Sequence, residues 1–402
     1  AVLQEGLVPL ETRPLGVSDC AGRVLAEDVA SPVDVPGFDR SMMDGYALRG
    51  EETFGASDGD PRLFELVGEA MPGAGFEGSV RTGQAVRIMT GAPMPEGADA
   101  VAMAEVCHER DGRVEVAEAV APRKNVGARG EDVRSGTVVL RRGRRLRPQD
   151  AGLLASIGVT PVACHRRVRV DILVTGNEIL PAGERPRGYR IVDSNSPMLT
   201  ALVARDGGRV DSAVLVDDDE EAIRAVMADS TADVLLVSGG SSVGREDHAP
   251  RLLAELGSLD FHGVAMRPSS PAGGGRIGER RVFLLPGNPV SCMCAYEFFA
   301  GPTIRVLGGR SFSWPQRRVK AALARKIASQ VGRTDYVRVA LEPEGAIPVA
   351  TSGASVLSST VRADGVVIVA RSREGYAEGE SVEVLLFDDE VGGARLAAGS
   401  AS

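Results

Sequence analysis

Residues 232–238 read ADVLLVS and are followed by GGSSVGREDH, so an apolar run leads directly into two glycines and two serines. Continuous Val, Leu and Ile runs between helices are typical of parallel strands that are buried on both faces of a sheet. Such runs alternate with stretches of helical periodicity around this segment: VRVDILVT at 168–175, a helical stretch at 196–207, RVDSAVLV at 209–216, helical stretches at 218–229 and near 246–256, RVFLL at 281–285, and a helical stretch at 289–301. Residues 168–311 are therefore predicted to form an α/β domain with a central doubly wound parallel sheet.

The flanking regions differ from this α/β pattern. Short alternating runs divided by turns predict a small antiparallel barrel or sandwich at 312–402: RVKAALA, YVRVALE, VVIVA and SVEVLLF. Before residue 168 glycine and proline are frequent, and short strands are predicted around 63–67, 85–88, 99–106 and 113–120. The expected class is multidomain α/β plus β, with a segmented N-terminal domain (1–44 and 131–167), an inserted β-rich domain (45–130) and a small C-terminal β-barrel.

Composition limits the classes of function. The 402 residues carry a formal net charge of −9, which argues against a duplex-binding protein because duplex binding depends on attraction to phosphate. The local basic cluster RRGRRLRP at 141–148 is either the solvated rim of a turn or a nucleic-acid patch, and the first is the commoner case. No apolar run is long enough to span a bilayer and no signal peptide is recognised, so a cytoplasmic protein without a membrane partner is expected.

The cysteine and histidine content limits the disulfides and the kinds of metal site that the chain can form. The five cysteines form neither a disulfide ladder nor a CxxC pair, and their odd number suits free thiols in a reducing cytosol. With only four histidines no His-rich metal site can be assembled, so any metal must take oxygen ligands. The chain starts at Ala1 without a methionine, and we expect further residues to precede it in the natural protein.

Three predicted strands end in glycine-containing loops, LVTGNE, LLVSGGSSVG and LLPGNPVS. Ligands of open parallel sheets bind at the carboxyl ends of the strands. The second loop has glycines that let backbone amides converge and serines that add hydroxyl donors, as an anion-binding nest requires. In the third loop Asn288 is predicted to cap a helix that begins at Pro289, leaving free amides at its N-terminus. Each loop alone could be a tight turn or a plain cap, but together they favour a ligand site.

Acidic residues border these loops: Glu178, Asp193, Asp218 and Asp247. Carboxylates would repel a phosphate, so their place beside a phosphate nest suggests a divalent cation between them, because Mg²⁺ is commonly held by one or two carboxylates plus substrate phosphates. The alternative for each acid is a cap or first-turn residue that stabilises a helix by roughly 0.3 to 1 kcal/mol.

Two N-terminal stretches do not read as scaffold. PGFDRSMMDGYAL at 36–48 places Asp39, Ser41, Asp44 and Tyr46 around a glycine. RIMTGAPMPEGADAVAMAE at 87–105 places Thr90 and Gly91 directly after a short strand. Each stretch alone is either a turn or part of a site.

At these stretches the sequence resembles the molybdopterin molybdenumtransferases, the molybdenum-insertion enzymes of the MoeA and gephyrin E-domain type. The likeness covers nearly the whole chain, and its motifs occur in family order: MDGYA, RIMTGAP with PEGADAV, GARGEDV, TGNE, DSN, SGGSSVG with a following Asp, and LPGNPVS. The resemblance implies a MogA/MoaB-like α/β domain, a four-part protomer and a homodimer with its active site between subunits. It also implies a Mg²⁺-dependent reaction in which adenylyl-molybdopterin and molybdate give the molybdenum cofactor and AMP, with the molybdopterin adenylyltransferase as partner.

The resemblance carries over residue by residue. The catalytic residues that it implies are Asp44, Thr90, Glu178, Asp218 and Asp247, of which Glu178, Asp218 and Asp247 would hold the metal. The molybdopterin and phosphate loops fall on Ser238, Gly239, Gly240, Ser241, Ser242, Gly244, Pro286, Gly287, Asn288, Pro289 and Ser291. The molybdate site falls on Arg267, Ser270, Arg338 and Ser355.

The sequence also departs from the family pattern. The family's Lys-Pro-Gly-Lys-Pro is RPSSP at 267–271, Ala354 stands where serine is usual, Asn177 replaces the more frequent Asp, and Arg40 stands where an uncharged polar residue is common. Two alternatives follow: a non-catalytic or tungstate-preferring paralogue that binds molybdopterin, or another phosphoanhydride-cleaving enzyme on the same α/β domain. The N-terminal motifs argue against the second, because a lone α/β domain would lack them.

Overall fold

The computed structural model describes residues 6–240, 248–350 and 353–388, and the protein divides into two compact units. One unit comprises Ala1–Arg13, Gly22–Ala26 and Cys164–Ser402, and the other comprises Pro14–Ala21 and Glu27–Ala163. Within the described ranges, none of the helices has the length and apolar character needed to cross a membrane. The five cysteines are buried thiols that are not joined in disulfide bonds.

Short strands dominate the first 165 residues. In chain order the elements are β1 (Thr12–Leu15), β2 (Val24–Leu25), β3 (Val29–Ala30), β4 (Arg40–Ser41), β5 (Gly45–Leu48), β6 (Arg62–Ala70), β7 (Gln84–Ile88), β8 (Ala100–Met103), β9 (Cys107–Arg110), β10 (Arg113–Val116), β11 (Val126–Gly127), β12 (Val138–Leu140), α1 (Pro148–Ser156) and β13 (Val162–His165). Six of these strands form one sheet in the order β8-β5-β7-β6-β10-β9, in which only β6 and β7 are parallel neighbours. Its strands all lie between residues 45 and 130, where the inserted β-rich domain is predicted.

The α/β region follows the predicted alternation. Its elements are β14 (Arg169–Thr175), β15 (Ile179–Leu180), β16 (Ile191–Val192), α2 (Asn195–Arg205), β17 (Arg209–Val216), α3 (Glu220–Asp229), β18 (Val234–Ser238), α4 (Ala249–Leu256), β19 (Ser258–His262), β20 (Met266–Arg267), β21 (Gly273–Ile277), β22 (Arg280–Leu285), α5 (Pro289–Ala295), a π-helical segment (Tyr296–Ala300) and α6 (Gly301–Leu307). The sheet order is β17-β14-β18-β22-β21-β19; the first four strands are parallel, β21 is antiparallel to β22, and β19 is antiparallel to β21.

Both faces of this sheet are covered, which explains why its strands are apolar throughout. Every residue of β18 is buried. One face packs on α2, α5 and α6 through residues such as Leu199 and Ile304, and the other packs on α3 and α4 through residues such as Ile223 and Leu252. The chain leaves β14 and β18 for opposite faces, so a crevice forms at their carboxyl ends.

The C-terminal strands close on themselves. The elements of this region are β23 (Arg318–Ala322), β24 (Ile327–Ala328), β25 (Thr334–Glu342), β26 (Gly345–Ala350), the helix α7 (Ser358–Val361), β27 (Gly365–Val369), β28 (Gly375–Tyr376) and β29 (Ser381–Leu386). Pairing runs β26-β25-β27-β29-β23, and a bridge between Leu323 and Ala346 joins the two ends of this path. The interior is aliphatic, with Val337, Val367 and Val384 fully or almost fully buried. The predicted fold class is confirmed, including the small barrel, whereas the residue bounds of the four domains stay a prediction.

Candidate functional site

Three strand ends of the α/β sheet lie side by side. Val174 of β14 pairs with Ser238 of β18, and Ser238 pairs with Leu285 of β22. The chain leaves all three strands within one residue of this row. The register therefore places the loops that begin at Gly176, Gly239 and Pro286 along one edge, as the sequence predicts.

A pocket of about 760 Å³ opens at this edge, and we call it the strand-end pocket. Its walls include residues of all three loops, of the 191–194 segment and of the barrel: Thr175, Gly176, Glu178, Ile179, Ile191, Val192, Ser194, Asp218, Gly239, Gly240, Pro271, Pro286, Gly287, Asn288, Pro289, Ser355 and Leu357. Nine of the predicted site residues belong to this lining: Glu178, Asp218, Gly239, Gly240, Pro286, Gly287, Asn288, Pro289 and Ser355.

Gly239 allows the second loop to turn tightly against β14. Its φ of +101° lies in the region that side chains disfavour, and a Cβ there would stand 2.4 Å from the carbonyl oxygen of Thr175. Any larger residue would push the loop away from the pocket wall. The glycine is thus required by a close approach between neighbouring strand ends.

Asn195, the first residue of α2, bonds to the starts of two of these loops. Its Nδ2 donates to Ser238 Oγ (2.8 Å) and to the carbonyl oxygen of Gly287 (2.7 Å). Asp193 supports it, because one carboxylate oxygen accepts the backbone N–H groups of Asn195 (2.9 Å) and Ser196 (3.0 Å). The sequence marks Asp193 as an acid and DSN as a motif, but it assigned no role to Asn195. The side-chain amide within that motif was the signal that could have identified Asn195.

This network changes the predicted role of two residues. The Ser238 side chain is fully buried and bonded to Asn195, so it supports the wall and does not line the pocket. Asn288 occupies the N-cap of α5, but its side chain makes no capping hydrogen bond. The first amide of that helix, at Val290, donates to the carbonyl oxygen of Ala354 (3.0 Å) and is therefore not free. The expectation of free amides at this terminus is wrong for Val290, because the barrel loop occupies its N–H.

Two of the predicted acids, Glu178 and Asp218, line the pocket. Asp218 is also held in place: its carboxylate accepts the backbone N–H of Asn177 (3.2 Å), while the Asn177 side-chain oxygen accepts the N–H of Asp218 (3.1 Å). This reciprocal pair ties the β14 loop to the end of β17. Among residues 6–240, 248–350 and 353–388 no group of three or more His, Cys, Asp or Glu side chains could hold a metal ion.

Some predicted residues cannot be placed. Ser241, Ser242, Gly244 and Asp247 lie outside the described residues. The three-carboxylate metal site of Glu178, Asp218 and Asp247 therefore stays a prediction, supported by two carboxylates at one pocket.

A second pocket of about 380 Å³, the serine pocket, adjoins the first through Pro271, Pro286 and Asn288. Its full lining is Met266, Arg267, Pro268, Ser269, Ser270, Pro271, Pro286, Asn288, Ser291, Gly353 and Ala354. Of the residues predicted to bind molybdate, Arg267 and Ser270 line this pocket, whereas Ser355 lines the strand-end pocket and Arg338 lines neither.

Ser269 has an unusual backbone. Its φ of +89° is rare for a residue with a side chain, and its hydroxyl is buried and donates to the carbonyl oxygen of Ser291 (2.7 Å). This bond joins the serine pocket wall to α5.

Arg338, the predicted molybdate residue that lines neither pocket, is almost fully buried. Burial lowers the pKa of its guanidinium, and its Nη2 donates to the carbonyl oxygen of Ala350 (3.3 Å).

The N-terminal unit brings together two further predicted residues. Thr90 follows β7 and Asp44 precedes β5, and the antiparallel pairing of Gly45 with Ile88 sets them side by side. Thr90 donates to the Asp44 carboxylate from its N–H (2.7 Å) and its hydroxyl (2.8 Å). Asp39, by contrast, bonds Arg123 and the Arg129 amide and holds the loops of this unit together.

Comparison with known proteins agrees with this architecture. Three family descriptions match in succession: "MoeA N-terminal region (domain I and II)" over residues 1–158, "Probable molybdopterin binding domain" over 171–306, and "MoeA C-terminal region (domain IV)" over 320–387. A molybdopterin molybdenumtransferase of Haemophilus influenzae is 33% identical over 401 residues, covering 97% of this chain and 98% of the relative. One of Bacillus subtilis is 33% identical over 399 residues, covering 95% and 91%.

The fold has a solved counterpart. The crystal structure of a molybdopterin biosynthesis MoeA protein from Pyrococcus horikoshii aligns with a TM-score of 0.84 at 32% identity, covering 97% of both chains. Because the curated relatives match nearly end to end at this level of identity, the chain belongs to the MoeA family of molybdopterin molybdenumtransferases.

Proposed function

We propose that this protein is a transferase that inserts molybdenum in the biosynthesis of the molybdenum cofactor, using adenylyl-molybdopterin and molybdate and releasing AMP. One observation carries the proposal: three glycine-containing strand ends and the carboxylates Glu178 and Asp218 line one pocket. Beside it lies the serine pocket, whose lining includes the positively charged side chain of Arg267. The strand-end pocket offers what a phosphoanhydride needs, and the serine pocket suits a tetrahedral oxyanion. The names of the end-to-end relatives support the same reaction.

The chain's own residues would divide the work in the following way. The backbone at Gly239, Gly240 and Gly287 lets phosphate oxygens approach closely, while Asn195 keeps two of these loops at a constant spacing. Glu178 and Asp218 offer oxygen ligands of the kind that suits Mg²⁺, with Asp247 as the third proposed ligand. When bound, Mg²⁺ supplies charge neutralisation of the phosphoanhydride as it breaks. Asp44 and Thr90 are proposed as further catalytic residues.

Assembly and location belong to the same proposal. We infer a homodimer with its active site between subunits, a transient encounter with the molybdopterin adenylyltransferase that supplies the substrate, and no nucleic-acid or membrane partner. Five buried cysteines without a disulfide bond among them support a reducing compartment and therefore the cytoplasm. A tungstate-preferring or non-catalytic molybdopterin-binding relative is the second candidate, favoured by Ser270, which brings no charge to the serine pocket.

The test is incubation of the purified protein with adenylyl-molybdopterin and Mg²⁺, with molybdate present or absent, while AMP release is followed. We expect molybdate to stimulate release. Glu178→Gln should abolish the stimulation with an unchanged unfolding midpoint, whereas Glu184→Gln, an exposed acid in the following turn, should leave it intact. No AMP release with either molybdate or tungstate would exclude the transferase, and release only with tungstate would favour the second candidate.

A further inference from the structure

The positively charged side chain of the serine pocket, Arg267, is hydrogen-bonded to a buried carboxylate. Arg267 lies on β20 and Asp335 on β25, and the two residues are direct partners in the parallel pairing of these strands. Arg267 Nη2 donates to Asp335 Oδ2 (2.6 Å), and the side chain of Asp335 is only 1% exposed. The pairing thus sets the direction of the one arginine in the described lining of this pocket.

Paired in this way, Arg267 would contribute little net charge to the pocket. A carboxylate in direct contact with the guanidinium cancels much of its field at a ligand a few ångströms away. Ser269, Ser270 and Ser291 add hydroxyl or backbone groups but no charge. An oxyanion with two negative charges would therefore meet a nearly neutral wall if these residues acted alone.

Asp335 has a second cationic partner. Arg333 Nε donates to Asp335 Oδ1 (2.9 Å), so the carboxylate lies between two guanidinium groups. Two cations around one anion leave an excess of one positive charge in this cluster. Both arginines are partly exposed, at 33% and 28%, so neither is sealed away from a ligand.

Arg267 also retains an unused donor. Its Nε is buried and has no hydrogen-bond partner among the residues that the structure describes. A buried donor without a partner costs about 1 to 3 kcal/mol, so such groups are commonly satisfied by a ligand or a water molecule.

We propose that Arg333 is a positioning residue of the oxyanion pocket: it offsets the charge of Asp335, so that Asp335 can orient Arg267 without neutralising it. Arg333 acts through Asp335 and does not need to touch the ligand. It supplies the positive charge that Ser270 does not. This inference rests on the proposed function, because it takes molybdate, or its analogue tungstate, as the ligand of the serine pocket.

The test is equilibrium binding of molybdate and of tungstate to the full-length protein, measured by calorimetry without the pterin substrate, so that no turnover takes place. Arg333→Gln should weaken oxyanion binding by about tenfold, the order expected for removing one partly exposed charge near an anion. It should also flatten the dependence of affinity on ionic strength. Arg333→Lys, which keeps the charge, should retain most of the affinity, and so should Arg318→Gln, an exposed barrel arginine paired with Glu383.

The double variant Arg333→Gln with Asp335→Asn separates charge from structure. Asparagine keeps an oxygen for Arg267 while both opposing charges are removed, so affinity should recover towards that of the unaltered protein. An affinity of Arg333→Gln equal to that of the unaltered protein, or a double variant no better than the single one, would overturn the inference while leaving the transferase proposal standing. An unaltered protein that binds neither oxyanion would overturn the proposed function and this inference with it.

Discussion

Thr90 donates two hydrogen bonds to one carboxylate oxygen of Asp44, from its backbone N–H and from its hydroxyl. The two residues lie 46 positions apart and belong to separate sequence motifs. These bonds favour the charged form of the carboxyl group, and the backbone bond is the larger cause of a pKa below the ordinary value for Asp44. The geometry therefore keeps Asp44 ionised and fixed in direction.

Thr90→Val should raise the pKa of Asp44 only part of the way to its ordinary value, because the hydroxyl bond is lost and the backbone bond remains. The carboxyl carbon of Asp44 can be titrated by NMR to measure this. Since the folded pKa is lowered, the interaction is present above the unfolded pKa and is lost as pH falls through the folded value. Thr90→Ser should leave the pKa unchanged, and an equal rise in Ser and Val variants would contradict the assignment.

Asn195→Ala should lower the free energy of unfolding by about 2 kcal/mol, since the Ser238 hydroxyl and the Gly287 carbonyl oxygen lose their buried partner. Urea titration measures this value. The control is Thr200→Ala on the same helix, whose exposed hydroxyl bonds the Ser196 carbonyl and whose loss should cost less than about 0.5 kcal/mol.

The same asparagine variant should raise the KM for the pterin substrate, because two loops of the strand-end pocket lose their common tie. Equal stability losses at Asn195 and Thr200, with unchanged KM, would show that the tie has no role in shaping the pocket.

Ser270→Lys should tighten molybdate binding by about tenfold, because an exposed position in the lining of the serine pocket gains a positive charge. Calorimetric titration with molybdate checks this. Ser372→Lys makes the same charge change on an exposed turn of the barrel, outside that lining, and should leave the affinity unchanged. A similar gain in both variants would indicate a general charge effect and not one of this pocket.

Asp150 should make stability depend on acidity. Arg144 bonds both oxygens of its buried carboxylate (2.9 and 3.0 Å), and this contact, reinforced by Arg147, holds the pKa of Asp150 well below its usual range. A lowered folded pKa stabilises the fold above the unfolded pKa of about 3.9, and the contribution is lost as pH falls below it.

The free energy of unfolding of the Asp150→Asn variant should therefore lie about 1 to 3 kcal/mol below that of the unaltered protein near neutral pH. Urea titrations at falling pH should show this difference shrinking as the carboxylate becomes protonated. A difference that is constant with pH would contradict the ionic origin of the effect.

Much of the fold follows from local sequence. The apolar side chains of runs such as ADVLLVS are buried only when both faces of the sheet are covered. The glycines after these runs mark where the backbone must turn closely against a neighbouring strand. The strand-end pocket, with Glu178 and Asp218 in its lining, was predictable on these grounds, because parallel strands end at the same edge. The alternating runs after residue 318 likewise indicated the antiparallel barrel.

Contacts between distant segments were decided only by the tertiary structure. The barrel loop takes the Val290 amide through Ala354, Asn195 reaches the loops after β18 and β22, and Asp335 meets Arg267 across a strand pair. Each depends on register and on side-chain direction across 40 or more residues, which periodicity does not encode. The sequence by itself determined which residue types stand at the strand ends; packing of the strands and helices determined which of them share a pocket and which are used to build its walls.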